Sequence, residues 1–236
     1  MVFTELTVLI LVGGFGTRLQ QTVPDVPKAL VDINGRPFLT YLLDRIEATG
    51  LKTVVLCTGY MAGTVRKTIG NRYGSIDIQY SRESESLGTG GALKLAAPLI
   101  SSDYALVMNG DSFIDSNLKH FFNWSMAVQS VAIIMLTRVD DVSRYGQAIV
   151  SQSGKIVRFE EKCHKSCPGW INTGVYLLNN WLIKDIPSDT FYSLEHDLFP
   201  GLIGTKLYGY RCDAPFIDIG TPTSYIQAQE FFQHLG

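Results

Sequence analysis

Long hydrophobic runs are missing from this 236-residue chain. The apolar stretch from Val8 to Val12 is too short for a membrane span or a signal-peptide core, and Glu5 stands where a signal peptide would carry Lys or Arg. The expectation is a cytoplasmic protein with no membrane partner. Positive charge is not in excess either: 20 Lys and Arg face 22 Asp and Glu, and no dense basic run occurs. That argues against a nucleic-acid partner while leaving room for a local basic pocket that holds a small phosphorylated ligand. Cysteine is scarce. Cys57, Cys163, Cys167 and Cys212 read as reduced thiols rather than a disulfide framework. Cys163, His164 and Cys167 lack the closing ligand pair of a structural zinc and read as a plain loop. No Ser-His-Asp or Cys-His arrangement is evident, and His120, His164, His196 and His234 read as structural.

What is present is an ordinary globular balance, 46% hydrophobic and 18% charged residues, long enough for one sizeable core. β-branched apolar runs recur at 7–12, 53–57, 76–80, 104–108 and 131–137. Helical patterns lie between them. In "RPFLTYLLDRIEATG", Phe38, Leu39, Leu42, Leu43 and Ile46 share one broad face, Pro37 suits a first turn, and Gly50 stops the pattern. "GTGGALKLAAPLI" and "SNLKHFFNWSMAVQ" are further helices. This alternation predicts an α/β fold with a mostly parallel sheet covered on both faces. After about residue 140 the rhythm changes. A hairpin is expected around Ser153-Gly154, then strands in "WINTGVYLLNN" and "KLYGYRCD", a short helix in "SLEHDLFPGLI" and a closing helix in "TPTSYIQAQEFFQHL". No linker or repeat divides the chain.

Polar motifs fall after the apolar runs, where open α/β sheets bind ligands. "LILVGGFGTRLQ" breaks the first run with Gly13, Gly14 and Gly16, then Thr17 and Arg18. Glycines let the backbone approach a ligand and present N–H groups to an anion, and Arg18 adds a charged fork. Leu19 stands where a dinucleotide fingerprint needs its third glycine, and the Gly-Lys-Ser/Thr of a P-loop is absent. A tight turn with a surface arginine is the other reading of this stretch alone. Pro24 and Pro27 stiffen the chain before Lys28, a second candidate phosphate contact. Asp111 in "MNGDS" and Asp218 in "FIDIGTP" suit Mg²⁺, which takes one or two carboxylates plus phosphate oxygens. "FEEK" sets Glu161 on the opposite strand face from Glu160 and Lys162, and "NTGVY" offers Asn172 and Thr173 to sugar hydroxyls.

Taken together, "LVGGFGTRL", "PKAL", "SLGTGGAL", "NGDS", "RYGQAIV", "GKIVRFEEK", "NTGVYLL", "SLEHDLFP" and "FIDIGTP" resemble the sugar-1-phosphate nucleotidyltransferases, in that family's order, from Leu11 to Pro222. Within the family, "PFLTYLLD", "LGTGGAL" and "NGDSF" resemble in particular the members that guanylylate D-glycero-α-D-manno-heptose 1-phosphate. The resemblance implies a Rossmann-like, GT-A-like single domain over 1–236. Its nucleotide half runs to about 140 and its sugar-phosphate half from about 141, with no C-terminal β-helix. It implies in-line attack of a sugar 1-phosphate on the α-phosphorus of an NTP, with Mg²⁺ as cofactor, for cell-surface polysaccharide synthesis. The nucleotide site would comprise Leu11, Gly13, Gly14, Gly16, Thr17, Arg18, Glu83, Gly88 and Thr89. Arg18 and Lys28 would neutralise phosphates, Asp111 and Asp218 would hold the metal, and Lys162 would bind the sugar phosphate. Gly146, Glu161, Asn172, Thr173 and Gly174 would line the sugar site.

Glu83 falls where the family contacts the base edge. A carboxylate only accepts, and guanine presents N1–H and N2–H₂ side by side, so GTP is favoured. Uridylyl transfer to a MurNAc or hexose 1-phosphate, guanylyl transfer to mannose 1-phosphate, and a nucleotide-sugar-binding regulator without turnover are the alternatives. A homo-oligomer stays open. Val12 replaces the family's commonest alanine, and "CHKSCPGW" lacks its proline after the Glu-Lys pair.

Overall fold

The computed structural model describes residues 2–20, 23–160 and 166–235. The first apolar run is β1 (Thr7–Leu11), and both of its faces are buried. Val8 and Ile10 point into one core and Leu9 into the other. Period-2 alternation between two apolar layers explains why the run reads as continuously hydrophobic. After β1 come α1 (Thr17–Gln20), a small ladder of β2 (Asp32–Ile33) with β3 (Arg36–Pro37), and α2 (Phe38–Ala48). Then follow β4 (Thr53–Thr58), α3 (Ala62–Ile69), β5 (Arg72–Tyr73), β6 (Ile76–Arg82), α4 (Gly88–Ala96) and β7 (Tyr104–Asn109).

The second half contains β8 (Ser112–Ile114), α5 (Leu118–Val128), β9 (Ala132–Val139), β10 (Gln147–Val150), β11 (Ile156–Glu160) and β12 (Gly169–Asn179). It closes with α6 (Asn180–Asp185), β13 (Leu207–Cys212), β14 (Phe216–Asp218) and α7 (Pro222–Gln233). α2 buries the five residues of its predicted apolar face on the Val8 side, joined by α3, α5 and α7. α4 and α6 cover the Leu9 side through Leu93, Ala96, Leu182 and Ile183. Each fully buried Leu or Ile contributes about 1.5–3 kcal/mol, so both layers hold the sheet firmly.

The sheet is mixed, with a parallel centre in the order β6-β4-β1-β7. β12 runs antiparallel to β7 and carries the sheet into the second half by pairing with β9 and β10. β10 and β11 form the expected hairpin, and β13 lies parallel to β9. Two features aim residues at the site. The register of β12 against β9 shifts between Asn172 and Tyr176, with Gly174 at φ +77°. Such a bulge redirects side chains, and bulges concentrate beside active sites. β14 pairs antiparallel with β8, setting Asp218 opposite Ser112, one residue beyond Asp111.

Sequence periodicity missed α3, α6 and the β8–β14 ladder, all short. The expected helix in "SLEHDLFPGLI" is a wide turn over Leu194–Leu198 followed by a 3₁₀ turn over Phe199–Leu202. Ser193 causes this: its hydroxyl accepts from Glu195 and His196 N–H, and its carbonyl accepts from both Asp197 and Leu198 N–H. None of the described helices is long and apolar enough to cross a membrane.

Candidate active site

In the strand order β6-β4-β1-β7, the chain direction of build-up reverses between β1 and β7. Ligands bind at such a switch point, at the carboxyl ends of the strands. Both strands stop there, at Leu11 and Asn109, which are in register. Gly110 N–H donates to the Leu11 carbonyl at 2.9 Å. A Cβ at Gly110 would come within 2.7 Å of that carbonyl, so the two loops can touch only with glycine here.

A cavity of about 250 Å³ opens at this point, lined by Leu11, Gly13, Gly14, Glu83, Gly88 and Thr89. These expected nucleotide residues come together. Glu83 lies between two glycines: its Oε1 would be 2.7 Å from a Cβ at Gly13 and 2.6 Å from one at Gly59. Its Oε2 accepts from Leu87 N–H at 3.1 Å. Burial pushes the Glu83 carboxyl above its ordinary range, with Leu87 N–H partly opposing. Cys57 also lines the cavity, fully buried, and burial pushes its thiol up to about 12, so it stays protonated and unreactive.

Other expected residues have different duties. Gly88, at φ +74°, would set a Cβ 2.7 Å from the Tyr192 carbonyl; it permits the 191–195 segment to press on α4. The Thr89 hydroxyl donates to Glu195 Oε2 at 3.0 Å and accepts from Leu194 N–H at 2.8 Å, so it is engaged within the protein. Gly16, at φ +62°, packs against the Lys28 side chain. Gly16 and Thr17 are on the wall of neither cavity described here, and Arg18 faces the second one.

That second cavity, about 390 Å³, is lined by Arg18, Lys28, Asp111, Arg144, Tyr145, Gly146, Asn172, Thr173, Gly174 and Asp218. Lys28, Asn109 and Asp111 lie on both walls. Lys28 Nζ donates to Asp111 Oδ2 at 2.5 Å. A Cβ at Gly220 would lie 2.8 Å from Asp218 Oδ1, 3.3 Å from Lys28 Nζ and 3.8 Å from Arg18 Nη2, which measures how closely the charges converge. Asp218 Oδ1 accepts from Gly220 N–H at 2.7 Å and the Ser224 hydroxyl at 3.2 Å. Its Oδ2 accepts from the Tyr145 hydroxyl at 3.1 Å and Arg144 Nη2 at 3.3 Å. Burial and the Asp218 charge push Tyr145 up to about 12, so its hydroxyl remains a donor at neutral pH.

The expectation that Thr173 offers its hydroxyl to a sugar does not match its placement. Thr173 is 1% exposed, and the hydroxyl donates to the Met135 carbonyl at 2.9 Å. It takes the strand face opposite Asn172, and that face packs toward Met135. Gly146 gives its carbonyl to Asn172 N–H at 2.9 Å. Asn172 Oδ1 accepts from Gly174 N–H at 2.9 Å, and Nδ2 donates to the Tyr176 hydroxyl at 2.9 Å. Tyr176 in turn donates to Glu195 Oε1 at 3.2 Å. A half-buried chain Thr89–Glu195–Tyr176–Asn172 thus ties the wall of one cavity to the wall of the other. Glu161 and Lys162 lie outside the described residues.

Sequence reasoning gave Asn109 no role beyond its place in the Asn109-Gly110-Asp111 motif, and did not single out Arg144, Tyr145, Tyr176 or Glu195. Arg144 and Tyr145 directly precede Gly146, and Glu195 sits in "SLEHDLFP", so the motifs were in view; only tertiary contact shows what these side chains meet. Asn109 Oδ1, on the wall common to both cavities, is buried with no hydrogen-bond partner among the described residues, an acceptor suited to a ligand donor.

Two carboxylates at one cavity fit a divalent cation whose remaining ligands come from phosphates. Among the described residues no cluster of three or more His, Cys, Asp or Glu would hold a metal unaided. Asp111 and Asp218 side chains are 41% and 19% exposed, so both are reachable from the cavity.

A glycine-walled cavity that meets a cation-rich one at a carboxylate–lysine pair defines a nucleotide-handling transferase site. The chain belongs to the nucleotidyl transferase family, whose model matches residues 7–234. It is 35% identical over 96% of its length to a D-glycero-alpha-D-manno-heptose 1-phosphate guanylyltransferase from Aneurinibacillus thermoaerophilus, covering 98% of that protein. A protein of the same description from Campylobacter jejuni is 34% identical, with 92% of this chain and 96% of the relative covered. The crystal structure of HddC from Yersinia pseudotuberculosis complexed with GMP-PN superimposes with a TM-score of 0.86 at 36% identity, over 96% of this chain and 99% of that one.

Proposed function

We propose that this chain transfers the guanylyl group of GTP to D-glycero-α-D-manno-heptose 1-phosphate, releasing pyrophosphate and forming the GDP-sugar. The observation that carries the reading is the wall common to both cavities: Lys28 and Asp111 sit where a nucleotide in one would meet a sugar phosphate in the other. Similarity to two heptose 1-phosphate guanylyltransferases and to a GMP-PN complex favours this base and this sugar.

An oxygen of the sugar 1-phosphate attacks the α-phosphorus, and the bond to the β-phosphate bridging oxygen breaks. The attacking oxygen is already anionic, so no general base is needed; positioning and charge stabilisation supply the rate. Gly13 and Gly14 would clear space for the nucleoside, and Glu83 would accept from guanine N1–H and N2–H₂. Lys28 and Arg18 would neutralise the transferring and departing phosphates. Asp111 and Asp218 would hold Mg²⁺, which when bound supplies further charge neutralisation at the phosphates. Lys162 would bind the sugar phosphate, with Glu161 and Asn172 at the sugar. GTP is drawn from the cytoplasm, which supports a cytoplasmic location.

The test is pyrophosphate release from GTP, UTP, dTTP, CTP and ATP, each paired with heptose, mannose, glucose and MurNAc 1-phosphate. The expected result is highest kcat/KM for GTP with the heptose. Turnover with none of the pairs, despite nucleotide binding, would overturn the enzyme reading.

A further inference from the structure

Four donors converge on Asp218. A carboxylate offers about four lone-pair sites, and those of Asp218 face Gly220 N–H, the Ser224 hydroxyl, the Tyr145 hydroxyl and Arg144 Nη2. A divalent cation that approaches this carboxylate from the cavity competes with these donors, and above all with any charged one. Gly220 N–H is backbone held by β14 and the turn that follows. Ser224 is 1% exposed and fixed in the capping box of α7. Tyr145 is packed edge-on to Phe216, ring centres 5.7 Å apart. Arg144 differs on every count. Its contact is the longest of the four at 3.3 Å, its side chain is 43% exposed, and its charge has the sign that a bound cation repels.

We infer that Arg144 is an exchangeable clamp: it covers Asp218 in the free protein, yields that carboxylate to the divalent cation, and moves its guanidinium onto the phosphate of the sugar 1-phosphate. The inference rests on the guanylyl-transfer reading above. Two further contacts support the exchange. Arg144 Nη2 also donates to the Thr221 hydroxyl at 3.4 Å, and its guanidinium carbon lies 5.5 Å from the centre of the Tyr145 ring. These keep the released group at the cavity wall rather than in bulk water. Once off Asp218, it stands in the cavity that Arg18 and Lys28 also line. A guanidinium meets a phosphate in two parallel hydrogen bonds, a geometry that lysine cannot reproduce. Lys28 pairs with Asp111 at 2.5 Å and offsets its charge while leaving it 41% exposed. Both carboxylates therefore stay compensated until metal and phosphates arrive together, which disfavours metal binding without substrate.

The exchange predicts two effects of opposite sign from one substitution. In Arg144→Gln, Mn²⁺ binds the substrate-free protein more tightly, because a competitor for Asp218 is gone. The free Mn²⁺ signal in electron paramagnetic resonance titrations reads this directly, and at least a threefold fall in Kd is expected. In the same variant, KM for D-glycero-α-D-manno-heptose 1-phosphate rises about tenfold or more, as loss of a charged phosphate contact requires, while KM for GTP stays within about twofold. Arg144→Lys recovers only part of the sugar-phosphate affinity. Weaker Mn²⁺ binding in Arg144→Gln would mean that Arg144 merely shapes the loop, and would overturn the exchange. An unchanged sugar-phosphate KM would overturn it as well. A wild-type protein with no turnover on any pair would sink the guanylyl-transfer reading instead, and the Mn²⁺ titration, which needs no turnover, would still decide whether Arg144 competes for Asp218.

Discussion

Glu83→Gln isolates how the base is read. Leu87 N–H requires an acceptor at the Oε2 position, 3.1 Å away. In the glutamine variant the amide oxygen must take that place, which sends the amide NH₂ to the Oε1 position. There it lies between Gly13 and Gly59, where neither loop can retreat without breaking Tyr60 N–H to the Gly13 carbonyl. On the proposed base contact, a guanine N–H that would meet a carboxylate oxygen meets another donor instead. Losing one hydrogen bond to a charged group costs about 1.5–3 kcal/mol, so kcat/KM for GTP should fall by about 10- to 150-fold. UTP, whose base edge flanks one donor with acceptors, should lose little or gain. The assay is pyrophosphate release with each nucleotide at saturating sugar 1-phosphate. A GTP to UTP ratio that changes by less than about threefold refutes the reasoning. Stability supplies the control. Burial raises the folded-state Glu83 value above its unfolded one, so ionising it costs folding free energy as pH rises through that window. The variant should melt at the same temperature or higher at neutral pH, and lost activity then cannot be blamed on unfolding.

The same shift sets a pH dependence. On the proposal that Glu83 accepts from guanine, the carboxyl must be ionised, so KM for GTP should climb on acidification at a pH above the ordinary glutamate range of about 4.3, and Glu83→Gln should abolish that limb. Arg18→Ala should lower kcat by about 10²-fold or more with an unchanged melting curve, since Arg18 is exposed and has no ion-pair partner among the described residues; near-normal kcat removes it from phosphate stabilisation. Gly88→Ala should destabilise by more than about 1 kcal/mol, because its Cβ would meet the Tyr192 carbonyl at 2.7 Å and φ is +74°; a wild-type midpoint in urea would show that the 191–195 segment can move away.

Much of the fold was written in local pattern. The central strands and α2, α4, α5 and α7 follow from β-branched runs and helical periodicity, because each buries a face set by its own period. α3 and α6 were not legible: eight and six residues are too few to show a period, and their helicity depends on the layer they pack into. The site divides likewise. Gly13, Gly14, Lys28, Asp111 and Asp218 could be named in advance as lining the cavities, since glycines and charges that follow apolar runs are visible in local sequence. The Thr173 hydroxyl was misjudged because adjacent strand residues take opposite faces: Asn172 turns toward Tyr176, and Thr173 turns toward the Met135 carbonyl.

The sequence by itself therefore determined the α/β order, the family and the residue types at hand: a glycine-rich loop, two carboxylates and the cations to meet them. Tertiary structure alone decided the pairings. Residues 83 positions apart meet in Lys28–Asp111, Arg144 closes on Asp218, and Glu195 joins Thr89 to Tyr176. The reason is physical. Residue type and period record what a side chain can do and which face it takes, whereas its partner is set by strands far apart in the chain being brought to one sheet edge.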